Sequence, residues 1–430
     1  MSAREPRNVV SAIWRIESAK LIAMLARMIK SVDLAEEIAQ EVFIDALTRW
    51  ETSGVPDNPG GWLMTAAKHR AVDVLRHARR AERKHDQLAQ EVETTLAADF
   101  DEALDDVVGD DLLRLVFVAC HPVLSQEGRV ALTLRLLGGL TTDEVARAFL
   151  VPESTIAQRI TRAKRTLAEK NVPFELPRPE DLAARLESVL EVIYLVFNEG
   201  YLATTGDDWM RPALCEDALR LGRILAELVS ESEVHGLLSL MEIQASRARA
   251  RVSPDGEAVL LPDQDRTLWD PLLVRRGLDG LARADAFVRE RPGPYFLQAA
   301  IAACHARAKS AADTDWARIA ALYDALLQVA PSPVVELNRA VALGMAFGPE
   351  VGLAVADPLT NDPALRDYPF LPSVRADFLA KLGRFADAKT EVERAAALTK
   401  NARERTLLLE RAASYAQSDE ERGSTNSPPS

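Results

Sequence analysis

The chain contains little cysteine: Cys120, Cys215 and Cys304 are far apart and odd in number, which provides neither a disulfide framework nor the CxxC spacing of a zinc site. They are expected to be buried thiols. Long apolar runs are missing as well, since the strongest, LLRLVFVAC and VLEVIYLVF, fall well short of a membrane span. The opening MSAREPRNVVSAIW lacks the apolar core of a signal peptide, so no membrane association and a cytoplasmic location are expected. Alternating strand patterns of Val, Ile and Thr are nearly absent. So are GxxxxGK, HExxH, GxSxG and paired-carboxylate arrangements, and the chain is expected not to be an enzyme and to need no cofactor or metal. An excess of positive charge is also lacking: 52 Lys and Arg stand against 65 Asp and Glu, a net charge of −13. That balance counts against a nucleic-acid binder acting alone, and the distribution of charge matters more than its sum.

What is present points to helices. Ala, Leu, Arg and Glu abound and apolar residues recur at three- and four-residue spacing, so the fold class expected is all-α. The 430 residues suffice for about two to four compact units of 100–200 residues each. Punctuation falls in SGVPDNPGG (53–61), NVPFELPRPE (171–180) and the tail QSDEERGSTNSPPS, which is expected to be disordered.

Charge divides the N-terminal part more sharply than composition does. Lys68, Arg70, Arg76, Arg79, Arg80, Arg83 and Lys84 form a basic stretch opposed only by Asp73 and Glu82. Residues 86–111 then carry acids and no Lys or Arg, which reads as a polyanionic linker. The sign reverses again in 155–170, with Arg159, Arg162, Lys164, Arg165 and Lys170 against Glu169 alone.

The most specific local pattern is GLTTDEVARAFLVPESTIAQRITRAKRTL, residues 139–167. Thr141 and Glu144 stand at capping-box spacing and should start a helix with Val145, Ala146 and Phe149 inward. Val151-Pro152 ends it, and a second helix follows from about Glu153. Ile156, Ile160, Ala163 and Leu167 form its apolar stripe, leaving Thr155, Gln158, Arg159, Arg162 and Arg165 on other faces, where they suit base edges and phosphates. This is the requirement of a helix-turn-helix; the bland alternative is a solvated amphipathic hairpin.

Residues 139–167 resemble region 4 of the extracytoplasmic-function sigma factors of bacterial RNA polymerase. DLAEEIAQEVFIDALTRW (33–50) resembles the region 2 helix that docks on core polymerase, and PGGWLMTAAKHRAVDVLRHARR (59–80) the segment after it. The resemblance implies a sigma region 2 bundle over 9–84, an acidic linker over 85–111 and a region 4 helix-turn-helix over 112–170. It implies that Asp33, Glu36, Glu37, Gln40 and Glu41 face the polymerase, with Ile38, Val42 and Phe43 holding the helix to its own core. Lys68, His69 and Arg70 would capture an unstacked base of the minus-ten element, and Asp73, Arg76, Arg79 and Arg80 would follow the phosphates. Thr155, Gln158, Arg159, Arg162 and Arg165 would read the minus-thirty-five element. A captured base offsets part of the unpairing energy, so no catalytic residue is needed. His69, where many relatives carry Asn, and Leu150, where the turn usually has a small residue, depart from the pattern. Trp62 reads as a core anchor ahead of a DNA wedge, because it opens an apolar run with Leu63 and Met64. The acidic linker fits a path through the basic cleft of the polymerase and, in its plainer reading, is a spacer.

LVFNEGY (195–201) adds a resemblance to the subgroup in which a long helical-repeat domain follows region 4. That domain is expected over 180–416, with a tail over 417–430, and its end has tetratricopeptide character. In LGRFADAKTEVERAAAL, Leu382 and Gly383 close one helix while Phe385, Ala388 and Ala395 pack within the pair; Leu343-Gly344 is an earlier counterpart, offset by 39 residues. Asn198, Glu199, Gln264, Asp265, Arg266, His305, Asn338 and Arg339 interrupt apolar helices. They read as an internal hydrogen-bonded network ahead of a ligand or partner groove. The expected partners are core RNA polymerase and promoter DNA, with the C-terminal domain regulating by contact within the chain or with a protein. The alternative is a stand-alone helix-turn-helix regulator with a ligand-sensing helical domain.

Overall fold

The computed structural model describes residues 4–82, 106–149, 151–201, 210–253, 259–399 and 402–425. Most of the acidic linker, Leu150 and the last residues of the tail lie outside them. The described residues are predominantly helical and form two compact units, one of residues 1–200 and 211–228, the other of 201–210 and 229–430.

The first unit begins with α1 (Arg4–Ile29), α2 (Val32–Ser53) and α3 (Pro59–Glu82). Ser31 caps α2 by accepting from the Leu34 amide at 3.3 Å, and Gly54, at φ 81°, closes it with its N–H on the Trp50 carbonyl. One stripe of α2, namely Ala35, Ile38, Ala39, Val42, Ala46 and Trp50, is buried. Asn58 starts α3 by accepting from the Gly61 amide at 2.9 Å. Trp62 then meets Trp50 edge to face, with centroids 5.4 Å apart, while Leu63, Ala67 and Ala71 are buried on the same side. Trp62 is therefore a core anchor.

Four further helices, α4 (Asp106–Ala119), α5 (Gln126–Leu136), α6 (Thr142–Phe149) and α7 (Glu153–Glu169), complete the part anticipated from the motifs. Both capping-box bonds of α6 form: Thr141 N–H donates to Glu144 at 2.8 Å and Glu144 N–H to the Thr141 hydroxyl at 3.1 Å. Gly139 turns the chain into α6 at φ 67°, and a Cβ there would lie 3.0 Å from Ser18 Oγ and 3.3 Å from Arg15 Cα, so α1 approaches too closely for any other residue.

Two more helices, α8 (Pro179–Tyr201) and α9 (Pro212–Leu228), also serve the first unit, although a separate domain is expected from residue 180. Val189, Ile193, Leu221 and Leu225 face Ala19, Leu112 and Val116 around one small apolar cavity. Polar bonds fix the packing. Ser188 donates to the Cys120 carbonyl at 2.7 Å, Arg185 to the Phe117 carbonyl at 2.6 Å, and Arg220 to the Gly138 carbonyl at 2.6 Å. Arg211 binds Glu199 and the Ala148 carbonyl, so Glu199 belongs to an internal network.

The second unit is a succession of helices packed on their neighbours in the chain: α10 (Ser232–Ser246), α11 (Pro271–Ala286), α12 (Pro294–Arg307), which packs chiefly on α10, α13 (Trp316–Val329), α14 (Pro333–Phe347), α15 (Pro349–Ala356), α16 (Phe370–Lys381), α17 (Phe385–Leu398) and α18 (Ala402–Thr425). This is the nearest-neighbour packing of a tetratricopeptide-like array. Gly383, at φ 74°, makes the expected turn between α16 and α17, with Ala388, Val392 and Ala395 of α17 buried. Leu343-Gly344 does not close its helix. Gly344 lies inside α14 and Gly348, at φ 109°, makes the turn, which brings the repeat spacing closer to the usual length.

Candidate nucleic-acid interface

The reading helix α7 buries Ile156, Ile160, Ala163 and Leu167, as its periodicity demands. Gln158, Arg162 and Arg165 are exposed, and Thr155 and Arg159 half-buried. Thr155, Gln158, Arg159 and Arg162 line a cleft of about 300 Å³ against Ser125, Glu127 and Gly128 at the start of α5. The five residues expected to read DNA are thus gathered along one helix, and a duplex can reach three of them directly.

The minus-ten candidates lie on α3. His69, Arg70, Asp73 and Arg76 are exposed and Lys68 is half-buried, while the side chains of Arg79 and Arg80 lie outside the described residues. Arg70 does not project freely. Its Nε is 2.8 Å from Glu41 of α2, whose hydrogen bond and charge raise the guanidinium pKa above its ordinary value.

The acidic face of α2 is divided. Asp33, Glu37 and Glu41 are exposed at four-residue spacing. Glu36, expected on the same outward face, is turned inward and only 3% exposed. Its carboxylate lies 2.6 Å from Arg135 Nε of α5 and 2.6 Å from Lys164 Nζ of α7, and accepts from Gln40 Nε2 at 2.6 Å. Lys164 also reaches Asp33 Oδ1 at 2.6 Å. Burial opposes the Lys164 charge, but Glu36 and Asp33 outweigh it and raise its pKa. A second tie runs from Arg15 of α1 to Glu144 of α6 at 2.8 Å.

The helix-turn-helix and the α1–α3 bundle are therefore clasped within the first unit. Sequence reasoning did not find the clasp: Lys164 looks like one more base on a basic helix and Glu36 like one more acid on an acidic one. The only signal was Glu36 standing one position beside the Ala35 of the buried stripe.

Among the described residues no group of His, Cys, Asp and Glu is arranged to hold a metal, and no helix is long and apolar enough to cross a membrane. The three cysteines are free and buried, and burial pushes the Cys120 thiol up to about 11.

Residues 15–81 match the sigma-70 region 2 model, residues 114–167 the sigma-70 region 4 model, and residues 185–285 a family of unknown function, DUF6596. The chain thus carries sigma-70 regions 2 and 4 in that order and is similar to the extracytoplasmic-function sigma factors, and the extra C-terminal domain fits the subgroup with a fused helical domain. An uncharacterized protein of Rhizobium meliloti is 44% identical over 390 residues, covering 89% of this chain and 90% of its own. A probable sigma factor SigI of Mycobacterium tuberculosis is 30% identical over 173 residues, covering 40% of this chain and 58% of its own. Sigma factor SigK of Mycobacterium ulcerans is 29% identical over 171 residues, covering 38% and 87%. No solved structure gives a significant match. Helix-turn-helix DNA binding and a part in transcription initiation are supported by these matches.

Proposed function

We propose that this chain binds bacterial core RNA polymerase through the exposed carboxylates Asp33, Glu37 and Glu41 of α2 and directs it to promoters. Lys68, His69, Arg70, Asp73 and Arg76, continued in sequence by Arg79 and Arg80, take the minus-ten element. Thr155, Gln158, Arg159, Arg162 and Arg165 take the minus-thirty-five element. The C-terminal helical domain regulates this activity.

The observation that carries the reading is the clasp itself. A buried carboxylate held by an arginine and a lysine from another motif is weak evidence for stability alone, since such pairs lose much of their Coulomb energy to desolvation. It does fix which surfaces meet. Here it joins the α2 side that carries Asp33 to the DNA-reading helix, so engagement of α2 by a large basic partner competes with Lys164 for the same carboxylate. The free chain is closed and binds DNA weakly; the polymerase complex is open and binds promoters in a salt-sensitive way.

The test is co-elution of the full-length chain with core RNA polymerase, beside a Glu37→Ala, Glu41→Ala variant. Co-elution weakened at least tenfold in the variant supports docking through α2. No co-elution, together with tight operator-like DNA binding by the free chain, would establish a stand-alone regulator instead.

A further inference from the structure

Around Trp269 of the second unit two arginines converge, and neither is ion-paired with a carboxylate. Arg266 Cζ lies 4.8 Å from the centroid of the Trp269 ring and Arg247 Cζ 5.8 Å from it. Arg266 donates to the carbonyls of His305 and Ala308, and Arg247 to the side-chain oxygen of Gln244. These partners hold the guanidiniums in place but supply no negative charge. Among the described residues no carboxylate is paired with Arg247 or Arg266. Asp265 accepts from the Thr267 amide and hydroxyl at 2.8 and 2.7 Å, and Asp313, whose charge reaches Arg266 without an ion pair, from the Ser310 amide and hydroxyl at 3.1 and 2.8 Å.

The two arginines act on each other and on His305, with Asp313 offsetting part of the effect on Arg266. Burial, then Arg247, lowers the Arg266 pKa, and burial with the same two arginines lowers His305 to about 4, so the imidazole is neutral and adds no charge of its own. Polar capacity is also left over. Gln264 is 8% exposed with its side-chain oxygen unpartnered, and Trp269 is 7% exposed with its indole N–H unpartnered. Beside this cluster opens a cleft of about 410 Å³, walled by Val274, Leu278 and Ala306, with Arg266 and Trp269 at one side and Arg275 and Asp279 on α11. Charged arginines beside apolar walls are the layout of a site that orients a small ligand by one anionic end.

We propose that the Arg247–Arg266–Trp269 cluster and the adjoining cleft bind a small organic anion, a carboxylate carried on a planar apolar body. The carboxylate pairs with Arg266, within the field of Arg247, and Arg275 adds charge at the opening. The body fills the cleft between Val274, Leu278 and Ala306. The site makes the second unit a sensor of a small molecule, independently of whether the first unit docks on polymerase.

The probe is benzoate, titrated calorimetrically into the full-length chain at constant ionic strength against chloride, with inorganic phosphate in parallel. Saturable benzoate binding is expected, lost at least tenfold in Arg266→Gln and reduced several-fold in Arg247→Gln. Because Arg266 also holds two carbonyls and its loss can unfold the site, Ala306→Phe is the second variant: it fills the cleft while leaving Arg266 and Arg247 in the chain and should abolish benzoate binding at an unchanged melting temperature. Absence of saturable benzoate binding, binding of phosphate alone, or wild-type affinity in Ala306→Phe would each overturn the proposal.

Discussion

Lys164 Nζ on the DNA-reading helix sits 2.6 Å from Asp33 Oδ1 on the acidic helix α2, and the same ammonium is 2.6 Å from the buried Glu36. One lysine thereby restrains both working surfaces of the first unit. Lys164→Met keeps the aliphatic stem and removes the charge. Thermal stability should fall, since Glu36 keeps Arg135 but loses its second cation, and affinity for core polymerase should rise as Asp33 is released. Arg135→Ala, which takes away the buried partner of Glu36, should cost more, about 3 kcal/mol. Paired unfolding and polymerase-binding measurements on the two variants check this; a loss of polymerase affinity in Lys164→Met would mean that the clasp does not compete with docking.

The unit boundary carries a second prediction. A chain ending at Leu228 keeps α8 and α9 against α1 and α4, whereas one ending at 180 uncovers Val189's and Leu221's packing partners and strips Ser188 from the Cys120 carbonyl. The 1–228 chain should unfold cooperatively near the melting temperature of the first unit in the full chain. The 1–180 chain should melt well below it or aggregate. Comparing their calorimetric traces decides the matter, and it bears on any deletion used to probe regulation.

On the reading helix, Arg159 lies half-buried in the cleft beside Glu127 and Arg162 is exposed. Arg159→Ala should weaken binding of the polymerase complex to its promoter by about 1–3 kcal/mol and relax preference at one position if the side chain meets a base edge. Arg162→Ala should lower affinity uniformly across sequences and reduce the salt slope by about one. Competition binding with promoter variants separates the two.

How much of this was legible follows the range of the interactions. Thr141 and Glu144, the stripe Ile156–Ile160–Ala163–Leu167 and Gly383 were readable because capping, periodicity and positive φ are local, and each is found where the sequence puts it. Trp62 was readable because it opens an apolar run. Glu36 was misread because its partners Arg135 and Lys164 are far away in sequence, and its place beside Ala35 is too weak a local signal to set it apart from Glu37. Gly344 was misread as a turn for the converse reason: a helix-interior glycine and a closing glycine look alike until Phe378 packs against one of them.

His121 gives the first unit a pH dependence. Its Nδ1 accepts from the Val123 amide at 3.1 Å, which requires the unprotonated nitrogen, and burial followed by the Arg185 charge moves its pKa from 6.5 to about 4. The unfolded chain takes up this proton below 6.5 while the folded one resists until about 4, so stability is full above that window and declines as pH falls through it. Allowing for partial exposure, the loss attributable to His121 is about 1–2 kcal/mol. His121→Asn keeps an acceptor for Val123 and cannot titrate. Burial raises the pKa values of Asp111 and Asp217 and gives them the opposite slope, so the check is the difference between wild type and variant in urea unfolding across pH 4–7. A difference that does not change with pH would remove His121 from the account.

In the second unit the packing of α14, α15 and α16 turns on two glycines. Phe378 is fully buried in a cluster with Leu337, Leu353, Leu365, Leu371 and Leu379, and its ring lies over Gly344 and Gly352, whose backbones are in mutual contact. A Cβ at either position would collide with that ring, and a Cβ on Gly352 would also lie 2.8 Å from Gly344 Cα. Both residues are helical with no positive φ, so the constraint is space alone and alanine is otherwise the better helix former, by about 1 kcal/mol. Gly344→Ala should therefore destabilise by about 1–3 kcal/mol despite its helix propensity, because the ring must leave a well-packed site. Phe378→Leu alone should cost a comparable amount through the cavity it leaves. The double variant should be more stable than the sum of the two, since the smaller side chain makes room for the methyl group. Thermal melting of the two single variants and the double variant measures that coupling, and strict additivity would show that the ring relaxes away from Gly344 at little cost.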